Sequence, residues 1–316
     1  MLGRTANDLF WMARYMERAE NMARLLEVGH RLILLPHDGG DEEWRSTLRS
    51  AGCEASYLKR HGRFDTQCVV DYLLLDKTNP SSVYSCLATA RKNARAQRTA
   101  ITREMWESLN AAWLEFSSTA GERTSANDLP ALFDWVRERS AQFRGSLLNT
   151  ILRNDSFYFT QLGTFLERAD NTARILDVKY YVLLPQNALV GGGVDSAQWG
   201  TILRSVSAHR SFRWVYRDSF KPWHIADFLI LNPQMPRSLR SCYAEITAAL
   251  AGLTATYGRA APCQRDAEET LKSLSERDMS SIFQSGLHEF ILEFISANNR
   301  LAADVATALA RGSNSR

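Results

Sequence analysis

Between residues 9 and 28 the chain holds neither Gly nor Pro, and its apolar positions fall at Leu9, Met12, Met16, Ala19, Ala23 and Leu26. Steps of three and four put these side chains on one face of an α-helix. Thr5 to Asp8 offers capping side chains at its start. The same helical pattern runs through 87–116, 133–152, 239–253 and 281–311. Pro80, followed by Ser81 and Ser82, suits the opening of the second stretch. Short aliphatic runs such as Tyr72-Leu73-Leu74-Leu75 are isolated and read as buried helix rather than strand. Loops are expected at 37–41, 120–130 and 191–193. The pattern predicts an all-α helical bundle.

A second pattern lies over the first. Residues 17–28 read ERAENMARLLEV, and residues 167–178 read ERADNTARILDV. Trp44-Arg45-Ser46-Thr47-Leu48-Arg49-Ser50 is matched by Trp199-Gly200-Thr201-Ile202-Leu203-Arg204-Ser205. Asp71 to Asp76 is matched by Asp227 to Asn232, and Pro80 to Cys86 by Pro236 to Cys242. Ser140, Ala141 and Arg144 are matched by Ser296, Ala297 and Arg300. The blocks stay in order while the offset drifts only from 150 to 156. This predicts two tandem pseudo-symmetric repeats, 1–153 and 154–316, packed as one compact unit about a pseudo-two-fold axis.

Charge changes the reading of the first helix. Arg14, Glu17, Asn21 and Arg24 fall along one side, and Glu167, Asn171 and Arg174 hold the same places in the second copy. Residue 164 is Thr, so the first Arg has no equivalent, and Met22 has become Thr172. Arg18 and Arg168 lie further round the helix. A solvated face tolerates exchange, yet these charges agree between copies. They are therefore expected to be enclosed, and enclosed charges must be paired. Two uses are open: an ion-pair network that fixes packing, or a ligand site lined by Arg and Glu.

The copies differ after Pro80. Arg91, Arg95, Arg98 and Thr102 fall at spacings of four, three and four, which predicts one basic helix face running on to Glu104, Trp106 and Asn110. The matching stretch, Thr247 to Leu253, carries no charge. Clustered guanidinium groups suit phosphate or carboxylate, so an anionic peptide or phosphate ligand is a candidate. An exposed basic helix with no ligand is the plain alternative.

Composition narrows the classes. The 316 residues are 45% apolar and 23% charged, with a net charge of +3, which argues against nucleic acid as the main partner. Five Cys at wide spacing, without a CxxC, suggest free thiols and a reducing cytoplasmic setting. No apolar run reaches the roughly 18 residues of a membrane span, and the charged first twenty residues do not read as a signal peptide. The six His are scattered, and no zincin, P-loop or nucleophile-elbow motif occurs, so neither a metal nor a cofactor is expected. Cys86 and Cys242 sit at matched positions and read as paired core residues.

The opening MLGRTANDLFWMARYMERAENMARLLEV resembles the bacterial alpha-E family. So do the Asn79-Pro80-Ser81-Ser82 turn and the Arg91-x-Asn93-Ala94-Arg95-x-x-Arg98 helix leading to Trp106 and Asn110. The residues that carry over are Glu17, Arg18, Asn21, Arg24, Asn79, Pro80, Ser81, Ser82, Arg91, Asn93, Arg95, Arg98, Trp106 and Asn110. The resemblance implies a helical fold and two associates, a circularly permuted ATP-grasp protein and a transglutaminase-like protein. It thus implies a place in ATP-dependent peptide ligation or modification. The expected role is an accessory protein that binds the ligase or its anionic substrate through the Arg helix. The alternatives are an enzyme using Glu17 or Glu104 as acid/base, and a nucleic-acid binder.

Overall fold

The computed structural model describes residues 3–34, 40–119, 128–183, 193–217 and 220–311. The expected loops fall mostly outside these residues. The described parts of them, Gly40–Asp41, Leu129–Pro130 and Gly193, already belong to helices. Every regular element among the described residues is helical. The first group is α1 (Gly3–Ile33), α2 (Gly40–Ser50), α3 (Glu54–Leu58), α4 (Thr66–Leu74), α5 (Val83–Ala96), α6 (Arg103–Thr119) and α7 (Leu129–Thr150). The second is α8 (Asp155–Leu183), α9 (Gly193–Ser205), α10 (His209–Tyr216), α11 (Pro222–Ile230), α12 (Leu239–Tyr257), α13 (Gln264–Glu276), α14 (Met279–Ser285) and α15 (Leu287–Arg311).

Helices α1 and α8 form the centre. α1 packs on α8, α5 and α7, and α8 packs on α1, α12 and α15. Leu9, Met12, Met16, Ala19, Ala23 and Leu26 are all buried, as their spacing requires. α1 is covered on its polar side too: Arg14, Glu17, Glu20, Asn21, Arg24 and Glu27 are buried. A helix enclosed all round has no free amphipathic face. α1 and α8 approach closely at Gly163, where an added Cβ would run into the Phe10 carbonyl oxygen and stand 3.2 Å from Ala13 Cβ.

Contacts recur between the groups. Tyr57 stacks on His61 and Phe64 and meets Tyr72 edge-on; Phe212 stacks on Tyr216 and Phe220 and meets Phe228 edge-on. α2 ends with Gly52 N–H donating to Arg49 O and Cys53 N–H to Leu48 O; α9 ends with Ser207 donating to Arg204 and Ala208 to Leu203. This Schellman closure needs a left-handed residue, so Gly52 has φ 70° and Ser207 has φ 58°. Ser82 and Ser238 cap α5 and α12 by accepting from Ser85 N–H and Ser241 N–H.

Three expectations need correction. Thr5 to Asp8 lies inside α1 rather than capping it, because the helix begins at Gly3. The stretch 87–116 is two helices, not one. α5 ends at Gln97, a turn carrying β-branched Thr99, Ile101 and Thr102 follows, and Thr102 Oγ1 accepts from Met105 N–H to start α6. The stretch 281–311 breaks at Gly286, whose φ of 94° ends α14.

Candidate functional site

The two Glu-Arg pairs meet across the α1–α8 contact. Arg18 donates to both Glu167 oxygens, at 2.5 and 2.9 Å, and Arg168 donates to both Glu17 oxygens, at 2.9 and 3.1 Å. Such bidentate guanidinium–carboxylate pairs are strong and directional. Further out, Arg24 pairs with Glu20 and Arg174 with Asp170, each one turn away on its own helix. Each also crosses to the other group: Arg24 donates to Ser205 O, and Arg174 to Ser50 O at 2.9 Å. Those carbonyls are the last of α9 and α2, where a cation favours the helix dipole.

The two glutamates differ in their further partners. Glu167 receives a second cation, Arg14, at 2.9 Å. At the equivalent place Thr164 offers none, and Glu17 instead receives Arg144 of α7 at 3.0 Å, with Arg237 Nη1 at 3.2 Å. Arg144 and Arg237 also bind Glu20. Thr172, which aligns with Met22 between the two similar segments, donates to Arg237 O at 2.8 Å and so holds that arginine. Arg300, matched to Arg144, is exposed and donates only to Ser296 Oγ.

Burial raises the proton affinity of these carboxyls, but the arginines outweigh it. Arg168, Arg144 and Arg237 hold Glu17 below its ordinary value, and Arg237, Arg24 and Arg144 hold Glu20 well below. Arg18 and Arg14 bring Glu167 to about 2. Burial and neighbouring Arg24 pull Arg237 down to about 9, still charged at neutral pH. Burial lifts Cys86 and Cys242 to about 12, so both are neutral core thiols. Three glutamates held ionised under an excess of arginines suit a rigid joint. None is poised to exchange a proton near pH 7.

Eight of the nine residues of the expected stripe make these contacts, and Arg18 and Arg168, placed round the side from sequence, make the central bonds. Asn21 Nδ2 donates to Glu167 O at 3.1 Å, while Asn171 is buried without a hydrogen bond from its side chain. Sequence reasoning missed Glu20, Asp170, Arg144 and Arg237. The first two are acids at matching places in the similar segments 17–28 and 167–178, and Arg144 aligns with Arg300; nothing in the chain singles out Arg237. It also passed over the Glu27-x-x-His30 spacing on α1, but Glu27 is held by Arg31 and Arg137. Among the described residues no group of three His, Cys, Asp or Glu could hold a metal ion.

The second candidate set does not form one site. Asn79, Ser81 and Ser82 sit at the N-terminal end of α5, about 14 Å of helix from Arg91 and about 20 Å from Arg95. Their roles there are local: Asn79 Nδ2 donates to Tyr72 O, Asn79 Oδ1 accepts from Ser81 N–H, and Ser82 caps. At the other end Arg91 donates to Asn110 at 2.8 Å, and Arg91 and Arg98 lie over the Trp106 ring at 5.9 and 5.0 Å. Arg98 and Thr102 are not on the α5 face, since that helix has already ended. Arg95, Arg98 and Lys92 are exposed, Asn93 is half-buried, and Glu104 stands in water on the first turn of α6.

No described helix is long and apolar enough to cross a membrane. No curated protein and no solved structure matches the chain significantly. The Alpha-E family model, described as a predicted alpha-helical domain with a conserved ER motif, matches residues 1–308, and the chain belongs to that family.

Proposed function

We propose that the chain is a non-catalytic helical accessory protein of the cytoplasm, which docks an anionic partner on the Arg91–Arg98–Trp106 surface. The observation that carries this is the unneutralised charge there. Lys92, Arg95 and Arg98 are exposed and enter no ion pair among the described residues, and Arg98 lies over the Trp106 ring at 5.0 Å. The partner implied by the family resemblance is the ATP-grasp ligase, or the acidic peptide it extends, with the transglutaminase-like protein as a second associate. An enzyme built on Glu17 is disfavoured by its closed set of ion pairs, and Glu104 is exposed on the first turn of α6. Nucleic acid on the same surface would give steeply salt-dependent binding.

Two observations also favour reading 1–153 and 154–316 as copies of one unit, with the crossed Glu-Arg pairs as their joint. They are the recurring aromatic clusters and the reciprocal capping by Arg24 and Arg174.

The test is co-purification with the ATP-grasp protein. The pair is expected to co-elute from a sizing column, and Arg95→Ala with Arg98→Ala to separate it and slow ligation. Separate elution of the native pair, with ligation indifferent to the double variant, would overturn the reading.

A further inference from the structure

Trp214 is 83% exposed, the most exposed large apolar side chain among the described residues. It lies on α10, whose inner side chains Phe212 and Tyr216 stack on each other. Its outer face carries Arg210, Arg213 and Trp214 at spacings of three and four, and exposed Arg217 follows as the left-handed C-cap. Beside the stripe opens a cleft of about 430 Å³, with Val215, Phe228, Met235 and Pro236 among its walls and Arg210 and Trp214 at its edge. That volume lies in the range of ligand pockets, roughly 300–1,000 Å³.

The charge on this stripe is unanswered. Arg210, Arg213 and Arg217 are exposed and enter no ion pair among the described residues. α10 itself contains no acidic residue. The segment after Cys53 is different: α3 begins with Glu54, which pairs with Arg45 at 2.7 Å and Arg49 at 2.8 Å. An exposed indole over an apolar recess, set among free guanidinium groups, offers an anchor pocket and a carboxylate clamp together.

We propose that the cleft between α10 and the 234–236 turn is a docking site for an acidic peptide segment with a large apolar anchor. The anchor enters the recess against Phe228 and Met235, and flanking carboxylates pair with Arg210, Arg213 and Arg217. A recess walled by aliphatic, thioether and proline groups suits a side chain better than a row of stacked bases, and α10 presents one exposed aromatic ring rather than a platform. The site is separate from the α5 surface and does not depend on it.

The experiment is fluorescence anisotropy with a labelled peptide of about twelve residues, Glu and Asp alternating with Leu and Trp. The parallel probes are the same peptide with Ser in place of Leu and Trp, and a single-stranded oligonucleotide of equal length. Saturable binding of the acidic–apolar peptide is expected. It should weaken at least about tenfold with the Ser peptide, with Trp214→Ala, and with Arg210→Glu plus Arg213→Glu. Arg259→Glu, on the exposed turn after α12, should leave it unchanged. Circular dichroism checks the fold of each variant, and the Ser peptide tests the recess on the unaltered protein. The proposal fails if the native protein shows no saturable peptide binding, or if the α10 variants and the Ser peptide bind as tightly. It also fails if the oligonucleotide binds as well as the peptide, which would make the stripe a nucleic-acid surface.

Discussion

Glu167 shows how one buried side chain answers to several others. Its two oxygens accept from Arg14 and Arg18, and it is 4% exposed, so water cannot stand in for a lost partner. Replacing it with Gln keeps the shape but leaves two guanidinium groups uncompensated, and Glu167→Gln should cost about 3–5 kcal/mol in chemical denaturation. The pH dependence follows from the same contacts. The folded carboxyl is held at about 2, below its ordinary 4.5, because the arginines outweigh burial. A depressed folded value means stability that is complete above the ordinary value and is lost as pH falls through about 2. The native protein should therefore lose stability steeply on acidification below about pH 5, and Glu167→Gln should show a shallower loss over that window. Equal denaturation midpoints, or identical acid profiles, would show that the pair holds nothing. This site was partly legible in the sequence because enclosure leaves a trace: charges that do not drift between matched segments. The trace gave membership but not partners. Arg18 and Arg168 sit off the stripe by helical spacing, and only the crossing of α1 over α8 aims them at the opposite glutamates. Arg237 enters from a turn whose matched residue is Ser81, so no pattern could have placed it.

At the level of elements, periodicity located the helices, while their ends and breaks depended on single residues. Spacings of four, three and four put the arginines on one face, and 87–116 holds no Gly or Pro to end a helix. What divides it is a run of β-branched residues and the Thr102 cap, weaker signals that are decisive only beside the contact from Gln97 Nε2 to Asp8 Oδ2 at 2.6 Å. Gly163 tests the packing of α1 on α8. In a helix interior Gly→Ala normally stabilises by about 1 kcal/mol. Gly145 on α7 has no neighbour within 4 Å of a built Cβ, and Gly145→Ala should follow that rule. Gly163→Ala should go the other way, since its Cβ would press on the Phe10 carbonyl, a backbone atom that can yield only by moving α1. Overpacking of this kind typically costs about 1–3 kcal/mol. Thermal melts of the two variants decide the point: shifts of opposite sign support a close-packed axis, and a rise in both would show that α1 and α8 have room to separate.

For the whole molecule, the arrangement of the ion pairs predicts how the chain behaves when cut. Arg18, Arg24, Arg168 and Arg174 all reach across the α1–α8 contact, so each half completes the charge balance and helix ends of the other. The link between halves, Ile151 to Asn154, is short, and Leu152 within it is 76% exposed. A protease site inserted after Leu152 should be cleaved without loss of helicity, and the fragments should stay together on a sizing column at neutral pH. Either fragment expressed alone should be poorly folded, because it would expose the apolar side of α1 or α8 and strand a buried Glu-Arg pair. In cleaved protein carrying Glu167→Lys the fragments should separate, since a third cation beside Arg14 and Arg18 turns attraction into repulsion. Co-elution of that variant's fragments would mean that apolar packing alone holds the halves, and the crossed pairs would then serve to set their register rather than to join them.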